Sequence, residues 1–193
     1  MGFSRIRNHP SVSLDYRPQE FSDPSSSFKN PFSGVLFNVN RGLTILVAED
    51  DPNDVLLLKR AFLKNGFNNP VHTSPNGEDA INYLQGRGEY SDRSRFPFPS
   101  LLITDLKMPR SSGFDILEWL RAHPDCHIIP VIIFSASREE QDVLRAYHLG
   151  ANAYLHKPAT FSELTEVIRK TAEFWSICQK PALPQSQCPQ TDD

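Results

Sequence analysis

Asp105 closes the apolar run Leu101, Leu102, Ile103 and Thr104, and Lys107, Met108 and Pro109 break the pattern directly after it. A carboxylate in that place can cap a turn, hold a metal or act as a nucleophile. The same punctuation recurs along the chain: Glu49, Asp50 and Asp51 follow one apolar run, Ser135 ends another, and Lys157 stands just beyond "AYLH". Brought to one crevice, the carboxylates would repel one another unless a hard cation, an ammonium or protonation offset them. Mg2+ together with Lys157 would do so, and Mg2+ held by one or two carboxylates keeps positions open for phosphate oxygens. In that setting Asp105 can form a mixed anhydride with a phosphoryl group, Mg2+ and Lys157 neutralise the phosphoryl oxygens, and Ser135 donates a hydrogen bond to one of them.

Such a meeting depends on the elements that carry these residues. "LTILVAE" (43–49) is apolar nearly throughout, as a strand covered on both faces must be. Asp51 and Pro52 then supply an N-cap and a first-turn proline; Val55, Leu58 and Phe62 mark a helical face, which Gly66 ends. Four further strand and helix pairs follow: strands at 71–74, "LLIT", "VIIFSA" and "AYLH", and helices near 78–85, 114–121, 138–149 and 162–177. The last opens on a Thr160 to Glu163 capping box. Alternation of this kind predicts an α/β fold, a five-stranded parallel sheet doubly wound by helices on both faces. Ligands of such sheets bind beyond the carboxyl ends of the strands, where the strand order reverses, which is where Asp50, Asp105, Ser135 and Lys157 are expected.

Length and composition narrow the field. At 193 residues there is room for one ordinary domain with tails. We expect residues 42–176 to form it, with 1–41, rich in Ser, Pro and Asn, as a disordered arm and 177–193 as a flexible tail. Scattered Phe3, Phe21, Phe28, Phe32 and Phe37 are read as incidental. A net charge of -3 gives no basic footprint for nucleic acid, and no apolar run approaches a membrane span. Cys126, Cys178 and Cys188 form no CxxC pair and are odd in number, which predicts neither a disulfide framework nor zinc and fits a reducing, cytoplasmic home. His123, His127, His148 and His156 lack metal-ligand spacing and are expected to be surface or packed residues.

Over roughly residues 42–176 the chain resembles the receiver domains of two-component response regulators, of flavodoxin-like fold. The resemblance is carried, in order, by "LVAEDDPND", "TDLKMP" followed by Gly113, "IIFSAS" and "GANAYLHKPA". It implies Asp105 as the phosphoacceptor, Asp50 as a direct Mg2+ ligand, Glu49 as an indirect one, and the Lys107 backbone carbonyl as a further ligand. It implies Ser135 and Tyr154 as the switch pair, Lys157 as the essential lysine, and a cis peptide between Lys157 and Pro158. The long connection "GRGEYSDRSRFPFPS" (86–100) resembles that of stand-alone regulators that partner phytochrome histidine kinases. Its Arg87, Arg93 and Arg95 enter the sheet at the end opposite Asp105, so a surface or partner-contact role is expected for that loop.

The resemblance implies a non-enzymatic signalling switch: a histidine kinase donates to Asp105, and output is by protein contact, since fewer than twenty residues follow Trp175. The face of the fourth helix, fifth strand and fifth helix would shift, and could also serve a homodimer. Three other classes compete. A phosphorylation-independent adaptor would not need the chemical positions, all of which are present. An aspartyl-phosphate phosphatase needs a carboxylate two residues after the nucleophile, where Lys107 stands. A flavin carrier needs a phosphate loop that "AEDDPND" would repel.

Overall fold

The computed structural model describes residues 44–67, 69–123 and 126–179. The expectations for residues 1–41 and for the tail beyond Gln179 lie outside the described residues.

Five strands alternate with five α-helices: β1 (Ile45–Ala48), α1 (Pro52–Lys64), β2 (Val71–Ser74), α2 (Gly77–Gln85), β3 (Leu101–Thr104), α3 (Gly113–Ala122), β4 (Val131–Ser135), α4 (Glu140–His148), β5 (Ala153–His156) and α5 (Phe161–Ile177). A short 3-10 turn, Gly88–Ser91, lies in the loop before β3. The sheet is parallel throughout, in the order β2-β1-β3-β4-β5. The doubly wound prediction holds.

Strand periodicity explains the two cores. Leu46, Ala48, Leu102, Val131 and Ile133 point to one face, under α2, α3 and α4, where Ala80, Leu84, Ile116, Leu117 and Ala146 meet them. Ile45, Val47, Leu101, Ile103, Ile132 and Phe134 point to the other, under α1 and α5, against Leu58, Phe62, Leu164 and Ile168. With both faces covered, the central strands read as continuous apolar runs.

The expected caps are present. Asp51 accepts from the Asn53 amide at the head of α1, and Thr160 and Glu163 form the capping box of α5. The chain reverses direction across the sheet between β1 and β3, whose registers set Ala48 beside Thr104. Glu49, Asp50 and Asp105, each one or two residues further on, must therefore leave the sheet side by side.

Two expectations need correction. The Lys157–Pro158 peptide is trans, as are all peptide bonds among the described residues; an X–Pro bond keeps a trans preference, and nothing in the sequence itself fixes the isomer. Cys126, buried in the turn after α3, is disulfide-bonded, whereas Cys178 is a free thiol. An odd cysteine count excludes complete pairing but not a single pair, so the cysteines do not support a reducing compartment.

The loop 86–100 is a surface segment, with Arg87 and Arg95 exposed, but part of it is built inward. Arg93 donates to the carbonyl oxygens of Tyr83 (2.8 Å) and Leu84 (2.7 Å), closing the C-terminus of α2. Tyr83, Tyr90 and Phe96 pack ring against ring at centroid separations of 5.0 to 6.0 Å. No helix of the described residues is long and apolar enough to cross a membrane.

Candidate functional site

Asp105 leaves β3 with its amide donating to the Ala48 carbonyl (2.9 Å), which carries the sheet pairing one residue past the strands. Its side chain is buried, and its two oxygens have different partners. Oδ1 accepts from the Leu106 amide at 2.5 Å and the Lys107 amide at 3.4 Å, while Oδ2 faces the Lys157 ammonium at 2.9 Å. The carboxylate is thus fixed by the turn that follows it, with one oxygen turned to the crevice.

Gly113 explains how that turn stays tight. Its amide donates to the Leu106 carbonyl at 3.1 Å. A Cβ there would overlap the Asp105 carbonyl oxygen and lie 3.1 Å from the Asp105 carbonyl carbon, so only glycine lets α3 start against the Asp105 turn. Within the turn, Arg110 adopts φ 67°, a left-handed conformation that costs a non-glycine residue roughly 1–2 kcal/mol.

Lys157 enters from the end of β5, its amide bonded to the Ser135 carbonyl at 2.9 Å. Its ammonium contacts three carboxylates: Glu49 Oε2 at 2.7 Å, Asp54 Oδ2 at 2.8 Å and Asp105 Oδ2 at 2.9 Å. Burial works against its charge, but bonds to Asp54, Glu49 and Asp105 outweigh it and hold the ammonium above the ordinary lysine range. For Glu49 the balance is reversed: burial pushes its carboxyl up, and Lys157 only partly compensates. One ammonium among this many carboxylates leaves net negative charge in the pocket.

Glu49, Asp50 and Asp105 each turn a carboxylate oxygen into one space, all within 4.8 Å of one another. An oxygen-only donor set with one buried and one exposed end suits a hard divalent cation. Asp51 is outside this group and acts as the α1 cap.

On the far side of Lys157, Ser135 is fully buried at the end of β4, its Oγ accepting from the Ser137 amide at 3.4 Å. The Tyr154 hydroxyl donates to the Ser137 carbonyl at 3.0 Å. His156 Nδ1 meets the same Ser137 carbonyl at 3.1 Å, and Ser137 Oγ donates to Asp142 at 2.5 Å. The β4–α4 loop is therefore tied to β5 by Tyr154 and His156, both through the Ser137 carbonyl.

The fold gathers the sequence-predicted Asp105, Asp50, Glu49, Lys157, Ser135 and Tyr154 at the carboxyl ends of the strands. Of the histidines, His123 stacks on Trp119 at 4.1 Å, and His127 and His148 line one cavity at the other end of β4. Sequence reasoning missed Asp54. Its signal was available, because the first turn of α1 starts where β1 ends and must overhang the crevice.

Residues 45–169 match the response regulator receiver domain family. Response regulator Rcp1 of Synechocystis is 30% identical over 131 residues, spanning 68% of this chain and 87% of its own. Its Mn2+-bound crystal form superposes with a TM-score of 0.65, covering 72% of this chain and 99% of that one at 29% identity. Response regulator RPA3017, in red light signaling of R. palustris, gives a TM-score of 0.69 at 33% identity, and the phosphorylated cyanobacterial phytochrome response regulator RcpA gives 0.68 at 30%. Each covers 72% of this chain and 99% of its own.

Proposed function

The chain belongs to the response regulator receiver family, whose chemistry is phosphorylation on aspartate, and from that we propose that Asp105 accepts a phosphoryl group from a histidine kinase. The observation that carries this is the Asp105 carboxylate itself: buried, held at Oδ1 by two amides, and presenting Oδ2 to Lys157 at 2.9 Å. In the step, the Oδ2 to phosphorus bond forms as the bond from phosphorus to the donor imidazole nitrogen breaks. The electron pair stays on that nitrogen, which takes a proton from solvent. Lys157 offsets charge on the phosphoryl oxygens, and Ser135 donates to one of them.

Mg2+, held by Asp50, Asp105 and the Lys107 carbonyl with Glu49 behind them, would supply the remaining positive charge. The gathered oxygens of Glu49, Asp50 and Asp105 support that choice of site, and the Mn2+-bound form of Rcp1 supports a divalent ion.

The unit that does this is residues 42–176. Its output is a protein contact, and its donor is a kinase of phytochrome type, a reading supported by the likeness to RPA3017, in red light signaling, and to the phytochrome response regulator RcpA, together with the resemblance of the 86–100 loop. A cytoplasmic home follows from the donor, because phosphohistidine is made from ATP. Turnover of phosphate esters is not proposed, since Lys107 offers no proton-donating carboxylate.

Incubation with acetyl phosphate, followed by intact mass under mild conditions, tests the reading. One added phosphoryl mass is expected with Mg2+, none with EDTA and none in Asp105→Asn. Phosphorylation that persists in Asp105→Asn would rule the acceptor out.

A further inference from the structure

Lys157 has three N–H donors, and all three are committed, to Glu49, Asp54 and Asp105. A phosphoryl group on Asp105 presents new oxygens to the same ammonium, so a present partner must give way. The three are not equally free to leave. The Glu49 side chain is 2% exposed, and its carboxylate would be stranded without Lys157. Asp105 is the acceptor itself. The Asp54 side chain is 35% exposed, and an open groove lined by Asp54, Leu57, Lys157, Pro158 and Phe161 brings solvent to it. Water can replace the ammonium at Asp54 at little cost.

We propose that Asp54 is a positioning residue of the phosphoryl site: it holds Lys157 in competition with the phosphoryl oxygens and is the partner that Lys157 releases when Asp105 is occupied. Asp54 thereby acts as an electrostatic brake, keeping the ammonium neutralised until a phosphoryl group displaces it. It also ties phosphorylation to the first turn of α1, which loses its bond to the β5–α5 turn on release. This inference rests on Asp105 being the acceptor. Asp54 lies outside the oxygen set that fits a cation, so its influence on metal and on phosphoryl anion should have opposite signs. Removing its negative charge favours the anion and disfavours the cation, whereas general damage to the site would weaken both.

The test uses the full chain with Mg2+ alone and with beryllofluoride at saturating Mg2+, both by titration calorimetry. Asp54→Asn keeps the shape and an acceptor for Lys157 but removes the charge. It is expected to bind beryllofluoride about three- to tenfold more tightly than wild type, with Mg2+ affinity equal or lower, and the gain should shrink as salt rises. Asp54→Ser is a second uncharged variant that should show the same sign, and Asp54→Glu should stay near wild type. Unchanged or weaker beryllofluoride binding in both uncharged variants overturns the brake while leaving Asp105 as acceptor. Failure of wild type itself to bind beryllofluoride, with Mg2+ bound, removes the acceptor reading and this inference together.

Discussion

The site is an unequal charge balance around one ammonium, and its members respond differently to pH. Glu49 keeps its proton to higher pH in the folded chain than in the unfolded one. The folded state therefore binds more protons above the ordinary glutamate pKa, and stability falls as pH rises through the folded value. Glu49→Gln removes that loss: in metal-free urea denaturation the variant should gain on wild type as pH rises above the ordinary glutamate range, and a constant difference would contradict the assignment. Lys157→Ala strips the countercharge from a buried cluster and should cost about 2–4 kcal/mol in the same assay, less at low pH where the carboxylates protonate. Asp105, Asp50, Ser135 and Lys157 were legible in the sequence because each follows directly on a recognisable strand. Asp54 was passed over, because a carboxylate in a first helical turn is adequately explained as dipole compensation, although the first turn of α1 had to overhang the crevice; its bond to Lys157 is what identifies the partner.

Among the elements, the turn from β3 to α3 and the loop from α2 to β3 carry opposite lessons. Gly113 stood in the motif as a bare spacing, and its reason is steric: no Cβ fits against the Asp105 carbonyl. Gly113→Ala should cost about 1–3 kcal/mol by urea denaturation and should also lower phosphorylation by acetyl phosphate, since the turn that aims Asp105 must move. The loop exposes Arg87 and Arg95, as a surface segment should, but the local duty of Arg93 was not visible in the sequence. Arg93 satisfies the Tyr83 and Leu84 carbonyls at the end of α2, a need every helix end has, while the rings of Tyr83, Tyr90 and Phe96 pack against one another. Arg93→Met should speed amide exchange across 86–100 and cost about 1.5–3 kcal/mol. Mg2+ binding, at the other end of the sheet, should not change. The strands and helices themselves were legible throughout, because both faces of the sheet are covered and the caps at Asp51 and Thr160 are local.

Across the molecule, a charge change at Asp105 is joined to a surface. Ser135, Ser137, Tyr154 and His156 form one hydrogen-bonded unit between the β4–α4 loop and β5, and α4 beside it exposes Leu144 and Tyr147. Phosphoryl oxygens that draw Ser135 inward must loosen or remake that unit. Beryllofluoride with Mg2+ should therefore alter amide exchange in α4, β5 and the start of α5 and spare the 86–100 loop; identical exchange across that face would remove the switch. All of this stands on one bond, between phosphorus and the Asp105 carboxylate. Borohydride reduction of the phosphorylated protein, followed by peptide mass spectrometry, reads that bond directly, because it converts an aspartyl phosphate to homoserine. Homoserine is expected at position 105 and nowhere else; homoserine at position 50, or a phosphorylated protein with Asp105 unmodified, would contradict Asp105 as the acceptor.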